Sequence, residues 1–241
     1  RVEDCSVVFI DIRNFTEMSE KMQPDECFNF LNSYFEMIEP IINSFGGTVY
    51  QFLGDGIVCT FPLYKGKFSN NAVHATISIQ DQITIYNKGR LRAGYEAISI
   101  GCGVSTGTVA LGICGSNSRY EVGVFGTTMN IAARIQGACR DFEIGVTTSS
   151  KVYERLENKE DFLMRPIGKH KLKGIEDKVE IYEVFSHNDP IIRKYKTDSL
   201  NDLRKFNLEN ESFPIETLAK KYPSDPLWKK LKSIDENTEL H

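Results

Sequence analysis

Nothing in this chain is apolar for the roughly 18 residues that a membrane helix needs, and no signal peptide opens it. Paired cysteines are missing too: Cys5, Cys27, Cys59, Cys102, Cys114 and Cys139 stand singly, with no CxxC and no histidine nearby. Zinc spacing is thereby excluded, and a chain of 241 residues does not call for a disulfide framework. Their scatter through apolar runs suits reduced, buried thiols of a cytoplasmic protein. A strong charge of either sign is lacking as well. The net −4 gives no general attraction to nucleic acid or anionic lipid. Any anionic ligand must be held by local groups. Internal repeats and low-complexity tracts are absent, and residues 189–241 contain no glycine. That last stretch balances its Lys/Arg against its Asp/Glu, so the net charge lies upstream of it.

Two phosphate-binding motifs also fail on inspection. Gly107-Thr-Val-Ala-Leu-Gly112 has Walker spacing, but Ile113-Cys114 comes next where Lys-Ser/Thr is required. Gly101-Cys-Gly103 opens no helix, so it is not a dinucleotide fingerprint.

What is present is an alternation of strands and helices. CSVVFI, residues 5–10, is a continuous apolar run ending at Asp11, which predicts a buried central strand with a carboxylate at its carboxyl end. Pro24 to Phe45 places Phe28, Leu31, Tyr34, Phe35, Ile38 and Ile42 at helical spacing, and Gly46-Gly47 stops it. TVYQFL and IVCTF flank Gly54-Asp55-Gly56, a hairpin signal. A second helix is expected over Asn70–Lys88, and two strands over Ile98–Cys114, broken around Ser105-Thr106-Gly107. A third helix is expected over Thr127–Cys139, opened by a threonine cap. Beyond it lie a strand near Ile144–Thr147, a helix near Ser150–Leu156 and strands near Phe162–Ile167 and Val179–Phe185. This is an α+β pattern with antiparallel hairpins. After about residue 188, Leu200, Leu203, Phe206, Ile215, Leu218, Ala219, Trp228 and Leu231 predict short helices. They form a C-terminal accessory segment, packed on the main domain or on a partner. The chain opens at Arg1 almost directly on a strand, which reads as a piece of something longer, whose upstream part would carry any membrane contact.

Taken one at a time, the polar residues leave their roles open. Asp11 could cap the segment after it, and Asp55 could be a turn residue. Two carboxylates converging at strand ends would instead suit magnesium, which takes one or two carboxylates plus substrate phosphates. Asn130 and Arg134, four apart, share one helix face. They read either as a solvated face or as a grip on ribose and phosphate. Ile131, Ile135 and Ala138 mark the opposite side.

In sequence order these pieces resemble the class III nucleotidyl cyclase catalytic domain, over about Val7 to Phe185. Phe9-Ile-Asp11-Ile-Arg-Asn-Phe15-Thr16 looks like the family's first metal motif, and Gly46 through Gly54-Asp55-Gly56 looks like the second. Gly101-Cys-Gly-Val-Ser-Thr-Gly107 matches the central glycine segment. Phe125-Gly-Thr-Thr-Met-Asn130-Ile-Ala-Ala-Arg134 resembles the helix that carries the transition-state pair, and Leu172-Lys173-Gly174-Ile175 completes the order.

The resemblance implies a ferredoxin-like βαββαβ core with added strands and helices in residues 1–187, succeeded by the helical extension 188–241. It implies a nucleoside triphosphate substrate, cyclised to a 3′,5′-cyclic mononucleotide with loss of pyrophosphate. Two Mg2+ or Mn2+ ions would be held by Asp11, the Ile12 carbonyl and Asp55. Backbone around Asn14, Phe15 and Thr16 would cradle phosphates, Asn130 would orient the ribose, Arg134 would stabilise charge on phosphorus, and Lys173 would touch the triphosphate. It also implies a head-to-tail homodimer with shared sites. Where the family commonly reads the base, this chain has Gln51 and Gly123, which match neither purine's usual pair. Gln51 can donate or accept, with a neighbour such as Tyr50 or Thr128 assisting. ATP is the expected substrate, GTP or a pyrimidine nucleotide the alternative. A catalytically silent dimerisation module is the reading outside enzymology.

Overall fold

The computed structural model describes residues 1–63, 68–116, 119–185, 190–207, 214–234 and 238–240, apart from the side chains of 206 and 207. Phe206's side chain and the expected junction at 187/188 therefore lie outside the described residues. Strand β1 (Val2–Ile12) is followed by the one-turn helix α1 (Phe15–Ser19), the long α2 (Pro24–Ser44), the hairpin β2 (Thr48–Leu53) and β3 (Gly56–Pro62), and α3 (Asn70–Arg92). Next come β4 (Ile100–Ser116), β5 (Arg119–Phe125), α4 (Thr127–Asp141), β6 (Val146–Ser149), α5 (Ser150–Glu154), β7 (Met164–Leu172) and β8 (Val179–Val184). The tail adds α6 (Pro190–Asn207), α7 (Ile215–Lys221), α8 (Pro226–Ser233) and the two-residue β9 (Glu239–Leu240).

The sheet runs β2-β3-β1-β4-β6-β8-β7-β9, with β5 paired to β4 beside this path. Its first four strands, with α2 and α3 as the two crossovers, are the βαββαβ arrangement expected. Alternation on β1 divides the core in two, because successive side chains point to opposite faces. Val8, Ile10 and Ile12 join α2 and α3 in one cluster, while Cys5 and Val7 join Ala132 of α4 in another. Asp11 has the parity of the α4 side.

Helix α4 lies almost on the backbone of β4, and the central glycines make room for it. A Cβ at Gly103 would fall 2.2 Å from the Ala132 carbonyl oxygen and 2.5 Å from the Gln136 nitrogen. At Gly101 it would meet the Cys139 Cβ at 3.0 Å. These glycines therefore serve close packing, and β4 is one continuous 17-residue strand rather than two broken at Ser105–Gly107. It is held along most of its length by antiparallel pairing, first with β1 and then with β5.

Other expectations need correction. Phe28 is 70% exposed, and the buried stripe of α2 is Phe30, Tyr34, Ile38 and Ile42. Helix α4 starts after Gly126, with no side-chain cap from a threonine. Cys114 is exposed and Cys27 half-buried, while the other four cysteines are buried and all six are free. In the β2–β3 turn Leu53 already pairs with Gly56, so Gly54, at φ 65°, supplies the left-handed turn beside Asp55.

The tail packs against the main domain. Leu203, Leu218, Leu227, Trp228 and Leu231 cluster with Ile135 and Ala138 of α4, with Phe142 just after it, and with Ile167 and Ile181 of the sheet. A buried ionic group crosses the same seam. Arg165 on β7 donates to Glu183 at 2.5 Å, to Ser199 at 2.8 Å, and through both Nη atoms to Asp225 at 2.5 and 3.1 Å. Lys196 donates to the second Glu183 oxygen at 2.5 Å. Burial alone would raise the Glu183 carboxyl, but Arg165 and Lys196 together hold it below its ordinary range.

Candidate active site

Three short segments build a cleft of about 320 Å3 at the carboxyl end of β1. Strand β1 delivers Asp11, and the β2–β3 turn delivers Asp55 beside it. The Ile12 backbone N–H donates to Asp55 Oδ2 at 3.0 Å, which ties the turn to the strand end. The Asp11 and Asp55 carboxyl groups are within hydrogen-bonding reach of each other. Burial, then the bond to and charge of Asp55, push the Asp11 carboxyl up to about 7, against the opposing pull of the Ile12 N–H and Arg140. Two carboxylates so close are unfavourable together unless a proton or a cation joins them.

The chain then reverses at Asn14, whose backbone is left-handed at φ 56°, ψ 28°. That turn starts α1 with Phe15, Thr16 and Glu17 on the cleft wall. N–H groups in a first helical turn have no partner within the helix. Above the cleft lies the end of α4, contributing Gln136 and Arg140. Arg13 secures that roof by donating to the carbonyls of Cys139, at 2.9 Å, and Ile144.

Asp11, Ile12, Asn14, Phe15, Thr16 and Asp55 thus meet in one place. The other expected residues do not line this cleft. Asn130 and Arg134 are exposed one turn apart on α4, and neither side chain makes a hydrogen bond or ion pair among the described residues. Gln51 is half-buried on β2, beside an irregularity in its pairing between Val49 and Gln51. Gly123 is buried on β5 opposite Gly112, and the Phe125 ring fills the space its side chain would take, 2.6 Å from a built Cβ. Lys173 is exposed just after β7, its backbone N–H donating to the Leu240 carbonyl at 3.1 Å. Thr128 has committed its hydroxyl to the Thr108 carbonyl at 3.2 Å. Arg13, Gln136 and Arg140 were not singled out from sequence. The one signal for Arg140 was a basic residue in the last turn of the Asn130/Arg134 helix.

Among the described residues no three His, Cys, Asp or Glu side chains gather as a metal cage. A donor set of two carboxylates with open space beside it is instead what magnesium accepts when phosphates supply the remaining ligands. The residues fit a divalent ion on that chemistry.

Residues 1–186 match the family model described as the adenylate and guanylate cyclase catalytic domain. The chain belongs to that family. An adenylate cyclase of Anabaena cylindrica is 34% identical over 184 residues, covering 74% of this chain and 36% of that protein. The chain thus spans about a third of the length of that curated relative. Among solved structures, the adenylyl cyclase CyaB of P. aeruginosa superposes with a TM-score of 0.69 at 27% identity, covering 78% of this chain and 96% of that one. The guanylyl cyclase Cya2 gives 0.68 at 28% identity, covering 79% and 95%. The α+β fold is the one these cyclase domains share. No helix among the described residues is long and apolar enough to cross a membrane.

Proposed function

We propose that this domain is a nucleotidyl cyclase, converting ATP to 3′,5′-cyclic AMP and pyrophosphate. The observation that carries the reading is the Asp11/Asp55 pair, two close carboxylates lining one open cleft. Asp11, Asp55 and the Ile12 carbonyl would hold two Mg2+ or Mn2+ ions. When bound, such ions neutralise the triphosphate and acidify the ribose 3′-hydroxyl. Backbone N–H groups at Asn14–Thr16 would face phosphate oxygens, with Lys173 as a further contact. The 3′-oxygen forms a bond to the α-phosphorus as the bond to the bridging α–β oxygen breaks, and the hydroxyl proton is released to solvent. Asn130 orients the ribose, and Arg134 meets charge on the transferring phosphorus with a two-pronged donor.

Asn130 and Arg134 stand exposed and outside the aspartate cleft of their own chain, so a second copy would supply them head-to-tail. Exposed apolar side chains support such pairing: Phe52 and Leu53 by the β2–β3 turn, and Ile113, Tyr120, Val122 and Phe125 on the β4–β5 ribbon, all 46–72% exposed. Residues 1–187 would be the catalytic unit and 188–241 its accessory segment. GTP is the second reading, left open by Gln51, whose amide serves either purine.

The deciding experiment offers ATP, GTP, CTP and UTP separately, with Mg2+ or Mn2+, and identifies products by mass. Absence of any cyclic product at high protein concentration would sink the proposal in favour of a silent module. Mixing Asp11→Ala with Arg134→Ala should restore partial activity, and no recovery in demonstrated heterodimers would contradict shared sites.

A further inference from the structure

A larger cavity, about 610 Å3, lies behind α1, between the start of α2 and the end of α3. That is the size of a small-molecule site. Its walls include Met18, Met22, Phe30, Tyr86 and Tyr95, and the buried cation in them is Arg90. Only 9% of Arg90 is exposed. Its guanidinium carbon is 4.8 Å from the Phe30 ring centre, 5.4 Å from Tyr95 and 5.8 Å from Tyr86. Nε–H donates to the Glu96 carbonyl at 2.8 Å, which fastens the turn after α3. No carboxylate pairs with Arg90, and its Nη atoms have no hydrogen-bond partner, among the described residues.

Those Nη atoms are not sealed from solvent but open on the cavity, and the aromatic faces offset only part of the cost of taking the cation this far out of water. A guanidinium has five donors in a fork that matches a carboxylate. One of them is used here. The two acidic residues on the cavity wall do not answer for the rest. Glu26 is exposed and accepts from the Gln23 N–H at 2.9 Å, and Glu96 is exposed and meets Arg90 only through its carbonyl. Lys21 adds a second positive charge at the wall.

We propose that this cavity binds a small organic carboxylate with an apolar body, its carboxylate on Arg90 and its body among Met18, Met22, Phe30 and the two tyrosines. The site is separate from the aspartate cleft, but Phe30 stacks on Phe15 with ring centres 6.3 Å apart. An occupant therefore touches, from behind, the helix whose start lines the cleft.

The test is calorimetric titration of the whole chain with 3-phenylpropanoate and with its uncharged amide. One-site binding of the acid is expected, with the amide at least about tenfold weaker. Arg90→Met should abolish the acid's advantage, and Arg90→Lys should recover part of it, with thermal melts showing that both variants fold. Asp11→Asn should bind the acid as the unaltered chain does, so the outcome is independent of whether the domain proves to be a cyclase. Equal binding of acid and amide, or no heat from either at millimolar concentration, overturns the proposal. Undiminished binding to a folded Arg90→Met does the same. The acid-against-amide comparison needs no variant, so a misfolded mutant cannot shelter the idea.

Discussion

Carboxylates are taken out of water in two parts of this molecule and treated in opposite ways. At the seam between the sheet and the tail, Glu183 and Asp225 are each met by cations: Arg165 and Lys196 for one, both Arg165 Nη atoms for the other. In the cleft, Asp11 and Asp55 face each other, and the nearest cation with an effect on Asp11 is the exposed Arg140. Accordingly Glu183 titrates below its ordinary range and Asp11 far above it. Paired charge is what a fold needs to close a seam. Unpaired like charge is tolerated where something else is meant to arrive.

Breaking the pairs should separate the two regions sharply. Asp11→Ala or Asp55→Ala should lower cyclisation on the order of 10³-fold, because on the proposed mechanism each removes a carboxylate that would hold the divalent ions. Chemical denaturation should show no loss of stability for Asp11→Ala, and for Asp55→Ala a loss of about 1 kcal/mol, the cost of leaving the Ile12 N–H without its acceptor. Arg165→Met should do the reverse, costing about 3–5 kcal/mol by stranding Glu183 and Asp225 in the interior. Adding Glu183→Gln, Asp225→Asn and Lys196→Met to Arg165→Met should then recover much of that loss, since the four residues act as one unit. Additive losses in the denaturation midpoints would mean that these residues act independently, and no loss on Arg165→Met would mean that the seam is held by its apolar cluster alone.

A pH series sharpens the contrast from the cleft side. Folded Asp11 keeps its proton up to about 7, whereas its ordinary value is 3.8. Across that window the folded chain holds the extra proton, so metal-free stability falls as pH rises and is not regained above it. Asp11→Asn removes that loss. It should stabilise the metal-free protein by ~1–3 kcal/mol near pH ~8 and hardly at all near pH ~4, the part-open cleft trimming the full electrostatic effect. Magnesium should raise the melting temperature of the unaltered protein more than that of Asp11→Asn. Equal gains would argue that the ion does not sit on Asp11.

What could be read ahead of the structure depends on range. The β1 run, the Asp-Gly hairpin and the period of α2 are local signals; they put Asp11 at a strand end and Asp55 in a turn, and only the family resemblance joined the two in one site. Gly107 misled because its cause is remote: a side chain there would fall 2.7 Å from the Thr128 hydroxyl, so it is small for the sake of α4, some twenty residues on, not to break a strand. Strand β5 was missed because RYEVGVF pairs with β4 alone and leaves most of its side chains exposed, so apolar runs do not betray it. Phe28 shares the helical period of α2 but falls outside its buried stripe. Arg165 meets partners 18, 34 and 60 residues away, and no spacing rule reaches them. Arg140 gave only the weak signal of a basic last turn for the same reason, since Arg13 brings it over the cleft through carbonyls of residues 139 and 144.

Arg140 gives the smallest and most discriminating prediction. Its side chain is 64% exposed, and its ion pair with Asp141, at 3.8 Å, is a loose surface contact. Removing it should leave the fold untouched, unlike Arg165→Met. From the cleft's edge it still lowers the Asp11 carboxyl and would meet an incoming triphosphate. An exposed charge of this kind contributes about 1 kcal/mol, so Arg140→Ala should raise KM about fivefold with kcat little changed. The same substitution should move the acid limb of the rate profile upward in pH, because one of the groups lowering Asp11 is gone. Both effects should shrink as salt is added, since the charge lies in reach of mobile ions. If KM is unchanged at low salt, the roof of α4 only covers the cleft and the triphosphate does not reach it. If kcat falls instead, Arg140 belongs with the residues that meet the reacting phosphorus.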